Sequence, residues 1–150
     1  MLGSMTAAIA RSRAQRVETL AVAPGELVVR LAEEFLARLG PPAVVVPPET
    51  GVLTLQVREP VCEERFVLGE VIVARCEVDW HGRPGWAMRL GTDLRAALAA
   101  ALCDAAAVHD REARHDVDRL CDAVAGARAV ADSAEWSELA RTIVHFEELD

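Results

Sequence analysis

The chain has 150 residues, enough for one domain with a real core, and its 52% hydrophobic and 27% charged residues mark it as globular rather than disordered. A net charge of −8 argues against a polyanion such as duplex DNA as a partner. Every cationic side chain is Arg, and with neither Lys nor Tyr present, a Schiff-base lysine, a P-loop lysine and a tyrosine general acid are all excluded.

Met1-Leu2-Gly3-Ser4 reads as a vector-derived remnant ahead of Met5, so the expected domain spans residues 5–150. Ala7–Val22 is Ala-rich and helix-prone, with Arg11, Arg13 and Arg16 expected on its surface side. Pro24 suits the first position of a second helix, whose apolar stripe is Leu27, Val28, Leu31, Ala32, Phe35 and Leu39. Gly40 and Pro41-Pro42 end it. Ala43–Val46 reads as a short edge strand closed by Pro47-Pro48. Val52–Arg58 alternates, with Leu53, Leu55 and Val57 on one face.

Phe66–Trp80 alternates as well, placing Ile72, Ala74, Cys76, Val78 and Trp80 on one face, with a bend or bulge at Gly69. His81–Gly85 is the expected hairpin loop, and Trp86, Met88 and Leu90 the expected inward face of the return strand. From Asp93 the period becomes helical: Leu94, Ala97, Leu98, Ala101, Leu102, Ala105 and Val108 form one stripe. His109–Asp116 is a charged corner, followed by a stripe of Val117, Leu120, Cys121 and Val124. Asp132 with Glu135 suggests a capping box that opens a last helix through Leu139, Ile143 and Phe146. The expected class is α+β, an antiparallel meander of about three to four strands packed against N-terminal and C-terminal helices.

Chemistry is sparse. Cys62, Cys76, Cys103 and Cys121 have neither C-x-x-C nor zinc-finger spacing, which suggests buried free thiols in a reducing compartment. His109 and His115 are six residues apart and would point to different helix faces, a poor metal pair. His81 is expected in a turn and His145 in a surface ion pair. Trp80, Trp86 and Trp136 read as core or interface anchors. No long apolar segment follows Arg11, Arg13 and Arg16, and Ala96–Cys103 is too short to span a bilayer, so the expectation is a cytoplasmic protein with no membrane partner. Arg58 and Arg65 flank a loop where they could grip a phosphate, but Glu59, Glu63 and Glu64 lie between them and Pro60 removes a backbone donor.

The ordered set Glu49-Thr50-Gly51, Arg58, Phe66, Gly69-Glu70, Arg75, Gly82, Gly85, Gly91, Asp93, Ala97, Ala101 and Asp104-Ala105 resembles the G subunit of carbon–phosphorus lyase, the PhnG family. Arg13, Leu20-Ala21 and Glu26-Leu27 fit the family's N-terminal helices more loosely. The resemblance implies a bacterial phosphonate-degradation protein. In that system the G, H and I subunits, with L, are associated with displacing adenine from MgATP by an alkylphosphonate, giving a ribose 1-alkylphosphonate 5-triphosphate. It implies a PhnI-like partner first, then PhnH-like and PhnJ-like ones, with MgATP a substrate of the complex and no cofactor held by this chain alone.

No catalytic residue or metal ligand carries over. Pro60-Val61-Cys62-Glu63 stands where the family has a Gly-Gly-Thr-Gly run, Gly91-Thr92-Asp93 where it has Gly-Arg-Asp, and Arg16-Val17 where it has Trp-Met. The residues expected to contact a ligand or partner are Arg58, Arg65, Gly91, Thr92 and Asp93, which end or begin elements at loops. The alternative is a stand-alone, homodimeric ligand-binding or regulatory domain that has lost the lyase role.

Overall fold

A computed structural model describes residues 11–142. The order is α1 (Arg13–Val22), α2 (Gly25–Leu39), β1 (Ala43–Arg58), β2 (Arg65–Asp79), β3 (Pro84–Leu90), α3 (Leu94–His109) and α4 (Arg111–Leu139), closed by a 3₁₀ turn at Ala140–Thr142. The strands form one antiparallel sheet in the order β1-β2-β3. This is the α+β meander expected from the sequence. On one face of the sheet lies α3, with α2 and α4 behind it and α1 against β3, α3 and α4.

Ser12 starts α1: its hydroxyl accepts from the Gln15 N–H and the Gln15 side chain accepts from the Ser12 N–H, a reciprocal capping box. Two arginines of this helix are drawn toward α3 and α4, against expectation: Arg16 is buried and Arg13 is half-exposed, held by Asp118 and Asp104 respectively. Arg16 is buried beside Asp118 at 3.5 Å, and Arg13 grips the buried Asp104 through Nε at 3.0 Å and Nη2 at 2.7 Å. Asp104 also accepts the Trp86 N–H at 3.1 Å, and Arg13 donates to the Pro84 carbonyl, so one carboxylate ties α1, α3 and β3 together. Arg89 reaches back from β3 to donate to the Leu20 and Ala23 carbonyls at the end of α1.

Pro24 is the residue just before α2 rather than its first, and Gly40 ends that helix at φ +78°. The two strands expected at Ala43–Val46 and Val52–Arg58 are one, running through Pro47-Pro48. The prolines are tolerated because β1 is an edge strand and its register slips on either side of Val46. A further slip leaves Leu68 unpaired next to Gly69, where a bulge was expected. The β2–β3 connection is tighter than expected. Trp80 and Arg83 exchange both backbone hydrogen bonds around His81 (φ +52°) and Gly82 (φ +78°), a two-residue type I′ turn.

Register corrects the reading of β3. Cys76 opposes Ala87 and Val78 opposes Gly85, and opposed residues share a face. The inward face of β3 therefore carries Gly85 and Ala87, both buried, while Trp86 and Leu90 lie on the other face, 47% and 73% exposed. Close approach of α3 is the cause. A Cβ on Gly85 would lie 2.4 Å from the Ala101 carbonyl oxygen and 2.5 Å from the Ala105 nitrogen. Only glycine lets the helix backbone lie on the strand. Helix α3 is buried nearly all round, from Ala96 to Ala107 except Leu98, rather than along one stripe. Its small residues let the sheet, α2 and α4 all pack close.

The chain turns at Asp110, which ends α3 and caps α4 by accepting the Ala113 N–H. The start of α4 is anchored by buried Ala113, Val117 and Cys121, with Leu120 and Val124 half-buried. No new helix begins at Asp132. The helix is continuous to Leu139, and Asp132 lies in its interior, 3.9 Å from Arg128 one turn back. From Ala125 to Thr142 every residue is exposed, so among the described residues the far part of α4 is an arm that packs against no other element beyond the adjoining 3₁₀ turn. Ile143, His145 and Phe146 lie outside the described residues. Cys76, Cys103 and Cys121 are buried and free; Cys62, expected buried, is exposed at the tip of the β1–β2 hairpin. Burial pushes the three inner thiols up from the usual thiol range, Cys103 furthest.

Candidate functional site

The β1–β2 hairpin outruns the rest of the sheet. β3 pairs with β2 only from Val73 to Asp79, so Val52–Arg58 and Arg65–Ile72 project as a two-stranded ribbon. At its end Arg58 and Arg65 are direct cross-strand partners. Like charges in that position disfavour the pair, and Glu63, 3.8 Å from Arg58, offsets part of the repulsion. The turn is closed by the Glu59 N–H donating to the Glu64 carbonyl at 2.9 Å.

Inside that turn the Glu59 carboxylate accepts the N–H of Val61 at 2.7 Å and of Cys62 at 2.5 Å. Two backbone donors converging on one anion make the kind of nest that also holds a phosphate oxygen. Here the chain's own carboxylate fills it. This was not legible in the sequence, where Glu59 registered only as a charge opposing an anion.

The other candidates, Gly91, Thr92 and Asp93, sit where β3 passes into α3. Gly91 adopts φ +95° and donates its N–H to the Ile72 carbonyl at 2.8 Å. Asp93 caps α3 by accepting the Ala96 N–H at 2.9 Å, and Gly25 packs against it. Beside Asp93 an open depression of about 430 Å³ is lined by Gly25, Glu26, Val29, Arg30, Glu33 and Arg95. Arg95 is paired there with Glu33 at 2.7 Å. The five candidates thus fall in two places. Arg65 lies seven steps along β2 from Ile72, roughly 23 Å at a strand's rise per residue. The structure brings Arg58 to Arg65 and Gly91 to Asp93, but not one pair to the other.

A second feature has more extent. On the face of the sheet away from α3, register places Leu53 opposite Val71, Val57 opposite Phe66, and Val73 opposite Leu90. Trp86, Met88 and Leu90 continue this strip across β3. Leu53, Leu55, Phe66, Trp86 and Leu90 are all exposed, Met88 is half-buried, and Val73 within the strip is buried. The strip is crossed by the Glu49–Arg75 ion pair at 2.6 Å and covered by no helix among the described residues.

Elsewhere the chemistry is thin. An open depression of about 580 Å³ at the α3–α4 corner is lined by Asp110, Arg111, Glu112, Arg114, His115 and Asp118. The rings of His81 and His109 stand 5.4 Å apart, a contact not apparent from their sequence spacing. No three His, Cys, Asp or Glu side chains among the described residues could share a metal ion, and no described helix is long and apolar enough to cross a membrane. The family model described as "Phosphonate metabolism protein PhnG" matches residues 11–149. No curated protein matches the chain.

Proposed function

The chain belongs to the PhnG family of phosphonate-metabolism proteins, and from that premise we propose that it is a non-catalytic or co-catalytic subunit of a carbon–phosphorus lyase core complex. The observation that carries the reading is the uncovered apolar strip on the outer face of the sheet. Large aromatic and aliphatic side chains in contiguous positions on an exposed face mark an interaction site, since leaving them in water forgoes about 25 cal/mol for each Å² that a partner would cover. The unpacked arm of α4, with Val130, Trp136 and Leu139 exposed, offers a second such surface.

In this role the chain supports transfer of the ribose triphosphate of MgATP to an alkylphosphonate, with adenine displaced, while nucleotide and chemistry sit chiefly on its partners. The filled nest at Glu59 supports that division, because the backbone donors best placed for a phosphate are already used. A PhnI-like subunit is the first partner, with PhnH-like and PhnJ-like subunits completing the core, and the cytoplasm is the compartment that suits its free thiols. Arg58, Arg65, Gly91, Thr92 and Asp93 are the contacts to replace first in testing for ligand within the assembled complex. Co-expression with a PhnI-like protein tests the role: a stable co-eluting complex is expected, and clean elution of the two as separate species would count decisively against it.

A further inference from the structure

We propose that two copies of this chain pair through the free edge of β1, antiparallel and centred on Thr54, so that their sheets join into one. β1 is an edge strand, and no described element pairs with its outer side. Natural edge strands are guarded by charge, proline or brevity. β1 uses the proline guard only at Pro47-Pro48. From Thr50 to Val57 it carries no proline and no charge, and Val52–Arg58 projects with β2 clear of the helices. A long, apolar, unguarded edge is a template for another strand.

The edge is complementary to itself. A two-fold axis perpendicular to the sheet makes the pairing antiparallel and presents the same patch from each copy. Centred on Thr54, it sets Leu53 against the second copy's Leu55 on the outer face, Val52 against Gln56 on the inner face, and Gly51 against Val57. Arg58, the one charged residue in the paired stretch Thr50–Arg58, falls opposite an uncharged Thr50. Shifting the centre to Leu53 sets Pro48 opposite Arg58, and shifting it to Leu55 leaves only Val52–Arg58 to pair. The Thr54 register pairs all of Thr50–Arg58 with no proline in the ladder and no like charges opposed. It also joins the two outer apolar strips side by side, leaving them available to another protein.

Light scattering across a concentration series, on the chain alone, tests the pairing independently of any partner for the outer face. The expected mass is twice 16.2 kDa. Thr54→Cys in a Cys62→Ser background, which leaves only buried native thiols, should form a covalent dimer with a short bis-maleimide; Val130→Cys in the same background should not. Leu53→Lys with Leu55→Lys sets lysines opposite lysines across the axis and should return the mass to 16.2 kDa with an unchanged circular dichroism spectrum. A native mass of 16.2 kDa at every concentration, a dimer that survives the double lysine change, or cross-linking no greater at Thr54→Cys than at Val130→Cys would each overturn the proposal.

Discussion

Replacing Gly85 with Ala tests the packing on which the sheet's orientation depends. The new methyl carbon would lie 2.4 Å from the Ala101 oxygen, 2.5 Å from the Ala105 nitrogen and 2.6 Å from the Ala105 Cβ. Ordinary contact begins near 3.4 Å, so the helix must retreat by about 3.4 − 2.4 = 1.0 Å. Two of the three obstructing atoms are backbone, which no rotamer change can relieve. Overpacking of a core typically costs about 1–3 kcal/mol, and a clash with a helix buried nearly all round belongs at or above the top of that range. For a domain of this size about 3 kcal/mol corresponds to a melting temperature lower by roughly 6–12 °C. Thermal and urea unfolding followed by circular dichroism measure it. Gly51→Ala, with nothing within 4 Å of the added carbon, is the matched control and should change stability little. Ala105→Gly combined with Gly85→Ala should recover only a small part, because the backbone contacts remain. If Gly85→Ala unfolds within about 0.5 kcal/mol of the native chain, the range of ordinary surface substitutions, the close approach of α3 is wrong.

Other consequences can be measured alongside. Asp104→Ala should cost roughly 2–4 kcal/mol in urea unfolding, because it orphans the Trp86 N–H and releases Arg13, whose half-exposed guanidinium can turn to water. In the native state a thiol reagent should modify Cys62 promptly and the other three cysteines only on unfolding. The buried thiols also set an alkaline limit. The folded pKa of Cys103 is raised above the usual value of 9.0, so its contribution to stability is complete below that pH. It is lost as pH rises further, since the unfolded chain then binds fewer protons, at up to about 1.4 kcal/mol per pH unit. Cys103→Ala should flatten that alkaline limb in a pH series of urea midpoints. By calorimetry the isolated chain should bind MgATP weakly or not at all; tight binding abolished by replacing Arg58 or Arg65 would refute the placement of nucleotide on the partners.

Much of the fold was legible because period and punctuation agree. Alternation from Phe66 to Trp80, the change to helical spacing at Asp93 and the stop at Gly40-Pro41-Pro42 each have a local cause, and the structure keeps all three. What alternation cannot say is which face is inside. Trp86, Met88 and Leu90 are the bulky set on β3, so size points them inward; the small Gly85 and Ala87 take that place because α3 lies too close for anything larger. Pro47-Pro48 likewise reads as an end: an edge strand is legible before it, but not that the same strand continues beyond it through the slips in register on either side of Val46. Asp132 and Glu135 mimic a helix start inside a helix because their spacing suits a helix interior as well.

The family-like residues are more intelligible in the structure than in the sequence. Gly85, Ala101 and Ala105 form the strand–helix contact, Asp104 with Arg13 ties three elements, Asp93 caps α3 and Glu49 pairs with Arg75. These positions build the scaffold, which explains why they point to a fold without naming a reaction. The candidate site was legible only in part. Opposition of Arg58 and Arg65 follows from strand register, whereas occupation of the tip by Glu59 depends on a turn conformation that no spacing rule specifies.

Hydroxyl-radical footprinting of the free chain and of its co-expressed complex with a PhnI-like protein tests the docking role most directly. Phe66, Trp86 and Met88 should label readily in the free chain and be strongly protected in the complex. Equal labelling of these three residues in both states, with the complex demonstrably formed, would contradict the assignment of the outer sheet face as the partner surface.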